Sequence, residues 1–77
     1  MNINVLMKEI AEALELPESA ITPESDNTTI EEWDSLGHIS ILSRLDLSFD
    51  NITERVPDLA SAVSVAEICQ LLSNNGL

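Results

Sequence analysis

The sequence predicts an all-α fold, an up-and-down bundle of three main helices and one short helix. Two apolar patterns with helical spacing, one at the N-terminus and one beginning after Asp34, predict the first two long helices. A capping-box pattern at Ser64 precedes a third apolar pattern near the C-terminus. The chain of 77 residues is expected to form a single domain, residues 1–77, with a modest core and little room for a deep catalytic pocket.

The first helix is predicted to begin at a cap on Asn2 or Asn4. It should end near Leu16, because Pro17 disfavours helical geometry in the residue before it. Its apolar face is predicted to consist of Ile3, Leu6, Ile10, Ala13 and Leu14.

Residues 17–33 are predicted to form a long loop, with one short helical turn after Pro17. A loop of this length is unusual in a compact domain and usually has a function. This one leads directly to Ser35. Trp33, at its end, is expected to be a core anchor for the loop.

The second helix is predicted to run from about Ser35 to Leu47, with Asp34 or Ser35 as its N-cap. A serine hydroxyl at this point is expected to be exposed in the field of a helix N-terminus. The apolar residues of the helix are too many for one narrow stripe. The side of the helix that is predicted to face the core consists of Ile41, Leu42, Leu45 and Phe49. A neighbouring side, predicted to be partly exposed, consists of Leu36, Ile39 and Leu47.

The segment after Phe49 is predicted to begin with a turn over residues 50–55. A short third helix is then expected over residues 57–62, with proline in its first turn. The last helix follows Ser64, and its predicted apolar face is Val65, Ile68, Cys69 and Leu72. Cys69 is expected to be a small buried residue without chemistry of its own.

The composition is strongly acidic, with 14 acidic residues against 3 basic ones and a net charge of −11. Such a charge repels nucleic acid and anionic membrane surfaces, and it favours protein partners with basic patches. The single cysteine cannot form an internal disulfide, which is typical of a reducing cytoplasm. No apolar run approaches the roughly 20 residues that a membrane span needs, so the sequence predicts a soluble, cytoplasmic monomer.

The sequence Asp34-Ser35-Leu36, set between two helical patterns, resembles the attachment site of acyl carrier proteins. The resemblance extends from about residue 3 to residue 72. It implies a free-standing carrier, not itself an enzyme, with 4′-phosphopantetheine on Ser35 and with Asp34 and Leu36 as motif flanks. It also implies a phosphopantetheinyl transferase and acyl-loading enzymes as partners, and cargo held as a thioester. Fatty-acid, polyketide and other specialised acyl or aminoacyl pathways all remain open.

The second helix departs from the fatty-acid carrier pattern, in which acids are frequent. Gly37 and His38 follow the motif, Ser40 and Leu47 stand where acids are expected, and Arg44 adds a positive charge. A partner approaching Ser35 is therefore expected to meet an apolar strip with sparse negative charge. The predicted partner-binding residues are Leu36, Ile39, Ser40, Ser43, Leu47 and Asp46.

Two other functions compete with the carrier. An acidic helical adaptor would use Ser35 only as an unmodified helix cap. A small hydrolase would use Asp34, Ser35 and His38, but the chain lacks a glycine-rich elbow and His38 is expected to face solvent.

A specific metal site is not expected. The alternating residues Asp46, Ser48 and Asp50 are similar to a calcium loop, but Asn51 and Pro57 stand where glycine and glutamate are needed. Loose divalent binding by Asp46, Asp50 and Glu54 stays open.

Overall fold

The computed structural model describes all residues, Met1–Leu77, and contains four helices and no strand. The helices are α1 (Ile3–Ala13), α2 (Ser35–Ser48), α3 (Ile52–Arg55) and α4 (Val65–Asn74). Two 3₁₀ turns accompany them, the first at Glu18–Ala20 and the second at Pro57–Ser61. The all-α prediction, with three main helices and one short one, is confirmed. None of the helices combines the length and the apolar character that crossing a membrane would require.

The short helix lies elsewhere than predicted. α3 occupies the segment for which a turn was expected, and the predicted helix over residues 57–62 is instead the second 3₁₀ turn. The carboxylate of Asp46 accounts for the difference, because it accepts hydrogen bonds of 2.9 Å from both the backbone N–H and the hydroxyl of Thr53. A side chain of α2 thus holds the first turn of α3.

α1 ends at Ala13, three residues before the predicted end at Leu16. Glu15 adopts a left-handed conformation with φ 58°, and two backbone bonds run back from Leu16 N–H to Ala11 O (2.9 Å) and from Glu15 N–H to Glu12 O (3.2 Å). This pair of bonds is a Schellman motif, usually built on glycine. The motif ends the helix before Pro17 can do so.

The loop that follows α1 is fastened to the segment before α4. Asn27 N–H donates to Val63 O and Val65 N–H donates to Ser25 O, both at 3.0 Å. The Asp26 carboxylate accepts bonds from Thr28 and Thr29, and the Thr28 hydroxyl in particular lowers its pKa. The predicted turn after Pro17 is confirmed, and Trp33 is buried as predicted. These contacts give the loop a defined path across the bundle to Ser35.

One apolar core joins all four helices, the loop and the second 3₁₀ turn. Leu42, Phe49 and Cys69 only pack against its edge, although each was predicted to be buried. The fully buried side chains are Leu6, Ile10 and Ala11 of α1, Trp33 of the loop, Ile41 and Leu45 of α2, Ile52 of α3, Leu59 of the second 3₁₀ turn, and Val65, Ile68 and Leu72 of α4.

A polar clasp joins α1 to α2 outside this core. Arg44 pairs with Glu9, at 2.6 Å, and with Glu12, and Ser48 donates to Glu9 at 2.8 Å. Burial of the Glu9 carboxylate tends to raise its pKa, but the bonds from Arg44 and Ser48 outweigh burial and lower the pKa. The bond to Glu9 likewise raises the pKa of Arg44. The one cation of α2 is therefore held by α1.

Candidate functional site

The junction of the long loop with α2 places Asp34 at the N-cap. Its carboxylate accepts a 2.8 Å hydrogen bond from the backbone N–H of Gly37, the third residue of the helix. Of the two predicted caps, the structure uses Asp34. Ser35 becomes the first helical residue, and its hydroxyl is not needed for capping.

Ser35 is exposed, and its hydroxyl makes no hydrogen bond. The backbone N–H groups of Ser35 and Leu36 also have no hydrogen-bond partner. They point out of the N-terminus of a 14-residue helix, where the helix dipole favours negative charge. The Ser35 hydroxyl is therefore free to react, and the N-terminus of α2 tolerates a phosphate ester on it.

Gly37 allows the loop to approach the first turn of α2. A Cβ at this position would lie 2.0 Å from the carbonyl oxygen of Glu32 and 3.0 Å from the Leu14 side chain. Any larger residue would therefore push the loop away from the helix. A glycine in the first turn of a predicted helix is the sequence signal for such a close approach, and the sequence-based interpretation did not use it.

His38 is buried, so the prediction that it faces solvent is wrong. Its Nδ1 accepts a 3.0 Å hydrogen bond from Trp33 Nε1–H, and its Nε2 lies 2.9 Å from the carbonyl oxygen of Leu59. The His38 and Trp33 rings are nearly parallel, with their planes 14° apart and their centroids 6.3 Å apart. The ring contacts the core instead of solvent because Trp33 and Leu59, both buried, provide partners for its two nitrogens.

A cleft with a volume of about 630 Å³ opens beside Ser35. The loop forms one wall, α2 forms the floor, and the segment from the second 3₁₀ turn to α4 forms the other wall. The contribution of Asn27, Ala60 and Val63 could not be read from a local pattern, because they come from separate parts of the chain. The lining residues are Asn27, Trp33, Asp34, Ser35, His38, Ile39, Leu42, Ala60 and Val63.

The predicted partner-binding residues of α2 divide into two groups. Leu36 is 75% exposed and Leu47 85%, and Ile39, Ser40 and Ser43 are exposed as well. These residues form an exposed strip on α2 that begins next to Ser35. Asp46 is different because its carboxylate is engaged by Thr53.

The acidic side chains do not gather into a metal site. No group of three or more His, Cys, Asp or Glu side chains is placed to hold a metal ion. Loose divalent binding was left open for three of these side chains, and the structure does not bring them together as such a group. They are Asp46, Asp50 and Glu54.

Comparisons of the chain with protein-family models, with curated proteins and with solved structures found no match. The case for a function therefore depends on the geometry around Ser35 and on the residues that flank it.

Proposed function

We propose that this chain is an acyl carrier protein, a bundle of the acyl-carrier type that carries acyl groups on a 4′-phosphopantetheine arm attached to Ser35. The observation that supports this most is the state of Ser35. Its hydroxyl is exposed and unbonded at the first residue of a long helix, because Asp34 already caps that helix.

The start of α2 fits a phosphopantetheine group. A transferase would form a phosphoester bond from the Ser35 oxygen to the phosphopantetheine phosphorus, break the pyrophosphate bond of coenzyme A to release adenosine 3′,5′-bisphosphate, and take up the hydroxyl proton. The free N–H groups of Ser35 and Leu36 and the helix dipole would stabilise the phosphodiester anion. When bound, the arm supplies a thiol that holds cargo as a thioester.

The surroundings of Ser35 argue for a serine that a partner modifies and against a catalytic serine. A hydrolase needs a base beside the hydroxyl, and both ring nitrogens of His38 already have partners in Trp33 and Leu59. Ser35 itself has no contact that would raise its reactivity. Activation by a separate transferase requires only that the hydroxyl be reachable.

The exposed strip on α2 suits the docking of partner enzymes. Leu36 and Ile39 lie next to the attachment site and offer apolar anchors, while Ser40 and Leu47 replace acids that would attract basic patches. We expect Leu36→Ala or Ile39→Ala to slow acyl loading more than Ser43→Ala does, with helicity unchanged. Asp46→Ala is unsuitable as a control, because it also frees Thr53 of α3.

The proposal extends to the setting in which the carrier works. The single cysteine without a disulfide partner is typical of the cytoplasm, and the charge of −11 favours partners with basic surfaces, the transferase among them. Fatty-acid, polyketide and other specialised acyl pathways are equally compatible with the geometry.

The deciding experiment is intact mass spectrometry after incubation with coenzyme A and a broad-specificity phosphopantetheinyl transferase. We expect one phosphopantetheine addition to the native chain and none to Ser35→Ala. Ser64→Ala, a second serine at the start of a helix, is the matched control and should be modified normally.

If the native chain gains no mass while a known carrier in the same reaction is fully modified, the carrier function is wrong. The acidic adaptor with an unmodified Ser35 would then be the better interpretation. Modification that persists in Ser35→Ala would place the attachment site elsewhere.

A further inference from the structure

The His38 ring joins the two walls of the cleft beside Ser35. On one side, its Nδ1 accepts a hydrogen bond from Trp33 Nε1–H, with 3.0 Å between the two nitrogens. On the other side its Nε2 lies 2.9 Å from the Leu59 carbonyl oxygen, which can only accept. The two partners therefore require a neutral ring that carries its hydrogen on Nε2 and a lone pair on Nδ1.

A second proton on this ring conflicts with the contact that holds it. Nδ1–H would face the indole N–H of Trp33 across 3.0 Å, and neither group could accept the other's hydrogen. Trp33 is only 2% exposed and His38 8%, so little water can reach the pair to relieve the conflict in place, although both residues line the cleft. The Trp33 and His38 side chains must separate if the ring is protonated.

Separation of these side chains would change the cleft. Trp33 immediately precedes the N-cap Asp34, and its own backbone N–H donates to Ile30 O within the loop. Leu59 belongs to the second 3₁₀ turn, whose next residue, Ala60, lines the opposite wall. The His38 ring is thus a side-chain link between the two walls, in addition to the backbone bonds that join Asn27 to Val63 and Val65 to Ser25.

We propose that His38 is a proton-operated clamp. The neutral ring holds the loop against the second 3₁₀ turn, and protonation of Nδ1 releases Trp33 and opens the cleft beside Ser35. This property goes beyond the carrier function and does not depend on modification of Ser35.

The charged groups around the ring do not replace its partners. The elements packed against it carry Glu31, Glu32 and Asp34 on the loop and Asp58 on the second 3₁₀ turn, all exposed and none bonded to the ring. On α2 itself, the nearest charged residue is Arg44, which α1 holds. A response between about pH 8 and pH 5.5 would therefore report on the imidazole, the side chain that ordinarily titrates there.

The chain carries its own probe, because Trp33 is its one tryptophan and His38 its one histidine. Acrylamide is a neutral quencher, so its access to Trp33 can be measured by fluorescence at constant ionic strength across this pH range. We expect the quenching constant of Trp33 to be low while the His38 ring is neutral and to rise at least about twofold when the ring takes up a proton. The His38 proton signals in nuclear magnetic resonance spectra should follow the same curve.

Two variants separate the clamp from other effects of pH. His38→Gln can still donate to Leu59 O but does not titrate, so its quenching should be independent of pH. Trp33→Phe keeps a ring in the core and removes the opposing N–H. In the native chain, hydrogen exchange of Ala62 N–H, which is bonded to Leu59 O, should quicken when His38 is protonated, and in Trp33→Phe it should not respond.

The clamp is wrong if the ring takes up a proton without any rise in quenching, or if it stays neutral down to pH 5.5. It is equally wrong if His38→Gln shows the same rise as the native chain, because carboxylates would then be responsible. A fall in helical circular dichroism in the same step would identify global unfolding and would also overturn it. None of these results depends on whether Ser35 accepts phosphopantetheine.

Discussion

The starts of α2 and α4 both carry a serine, but the two hydroxyls have different roles. At α4, Ser64 is the N-cap, and its hydroxyl accepts from Glu67 N–H at 3.1 Å and donates to the Glu67 carboxylate at 3.2 Å. At α2, Asp34 is the N-cap and accepts from Gly37 N–H, which leaves the Ser35 hydroxyl free. An acidic cap one residue earlier thus changes a serine from a structural group into an accessible one.

The third helical position differs in the same way. In α4 it is Glu67, whose carboxylate accepts from the Ser64 hydroxyl at an exposed site. In α2 it is Gly37, which is buried against the Glu32 carbonyl and the Leu14 side chain. At the third position, the start of α4 thus uses a side chain of its own helix, and the start of α2 uses the loop and Leu14. The first residue of α4 also contacts the loop, because Val65 N–H donates to Ser25 O.

The largest effect on stability should come from a change at the third residue of α2, Gly37. We expect Gly37→Ala to lower the free energy of unfolding by about 2 kcal/mol, because the new Cβ would overlap the Glu32 carbonyl. In an open helix the same change would stabilise the fold by up to about 1 kcal/mol, so the sign of the effect is the test. Glu67→Ala is the matched change in α4 and should cost only about 0.5 kcal/mol. Urea titrations measure both, and a Gly37→Ala variant more stable than the native chain would contradict the close approach.

The two serines should then show opposite responses. Ser64→Ala removes a cap and should lower the free energy of unfolding by about 1 kcal/mol without affecting modification. Ser35→Ala should change stability by less than about 0.5 kcal/mol, because its hydroxyl has no bond to lose. Thermal unfolding of the two variants provides the comparison. Equal losses of stability would mean that Ser35 also acts as a cap.

The polar clasp between α1 and α2 lies away from both helix starts, and it provides a third comparison of stability. Glu9→Gln weakens the polar clasp and should cost about 1 kcal/mol at pH 7, while Glu24→Gln, an exposed carboxylate outside the clasp, should cost almost nothing. The folded-state pKa of Glu9 is lowered, so its stabilisation is complete above the ordinary carboxylate range and is lost as the pH falls through the folded-state pKa.

The native chain and Glu9→Gln should accordingly approach equal stability below about pH 4. Urea midpoints measured from pH 7 to pH 3 test this expectation. A difference that stays constant over that range would mean that the carboxylate charge of Glu9 does not strengthen the clasp.

The smallest effect concerns an anion at the start of α2. Ser35→Asp and Ser43→Asp add the same charge to the same exposed helix, but only the first adds it beside free backbone N–H groups. We expect Ser35→Asp to be the more stable of the two by about 0.5 kcal/mol, and the difference to shrink at high salt. Thermal unfolding at two salt concentrations would show it. Equal stability at low salt would weaken the argument that this position tolerates a phosphodiester.

Local features of the fold were predictable because their causes lie within a few residues. The capping box at Ser64, the turn after Pro17, the apolar faces of the three long helices and the exposed side of α2 all follow from spacing and capping. The candidate site at Ser35 came from the same kind of signal, an acidic cap followed by a serine and an apolar helix. The sequence by itself thus determined where the three long helices lie and which serine begins the second one, but not the position of the short helix.

Tertiary structure decided how the residues around that serine are used. His38 bonds to Leu59 across 21 positions and Arg44 to Glu9 across 35, so no local pattern could show that one is buried and the other held by α1. Asp46 belongs to the same class, because its role depends on where the chain after α2 returns. Periodicity and caps report interactions within one or two helical turns, whereas a buried polar group takes whichever partner the folded chain brings to it.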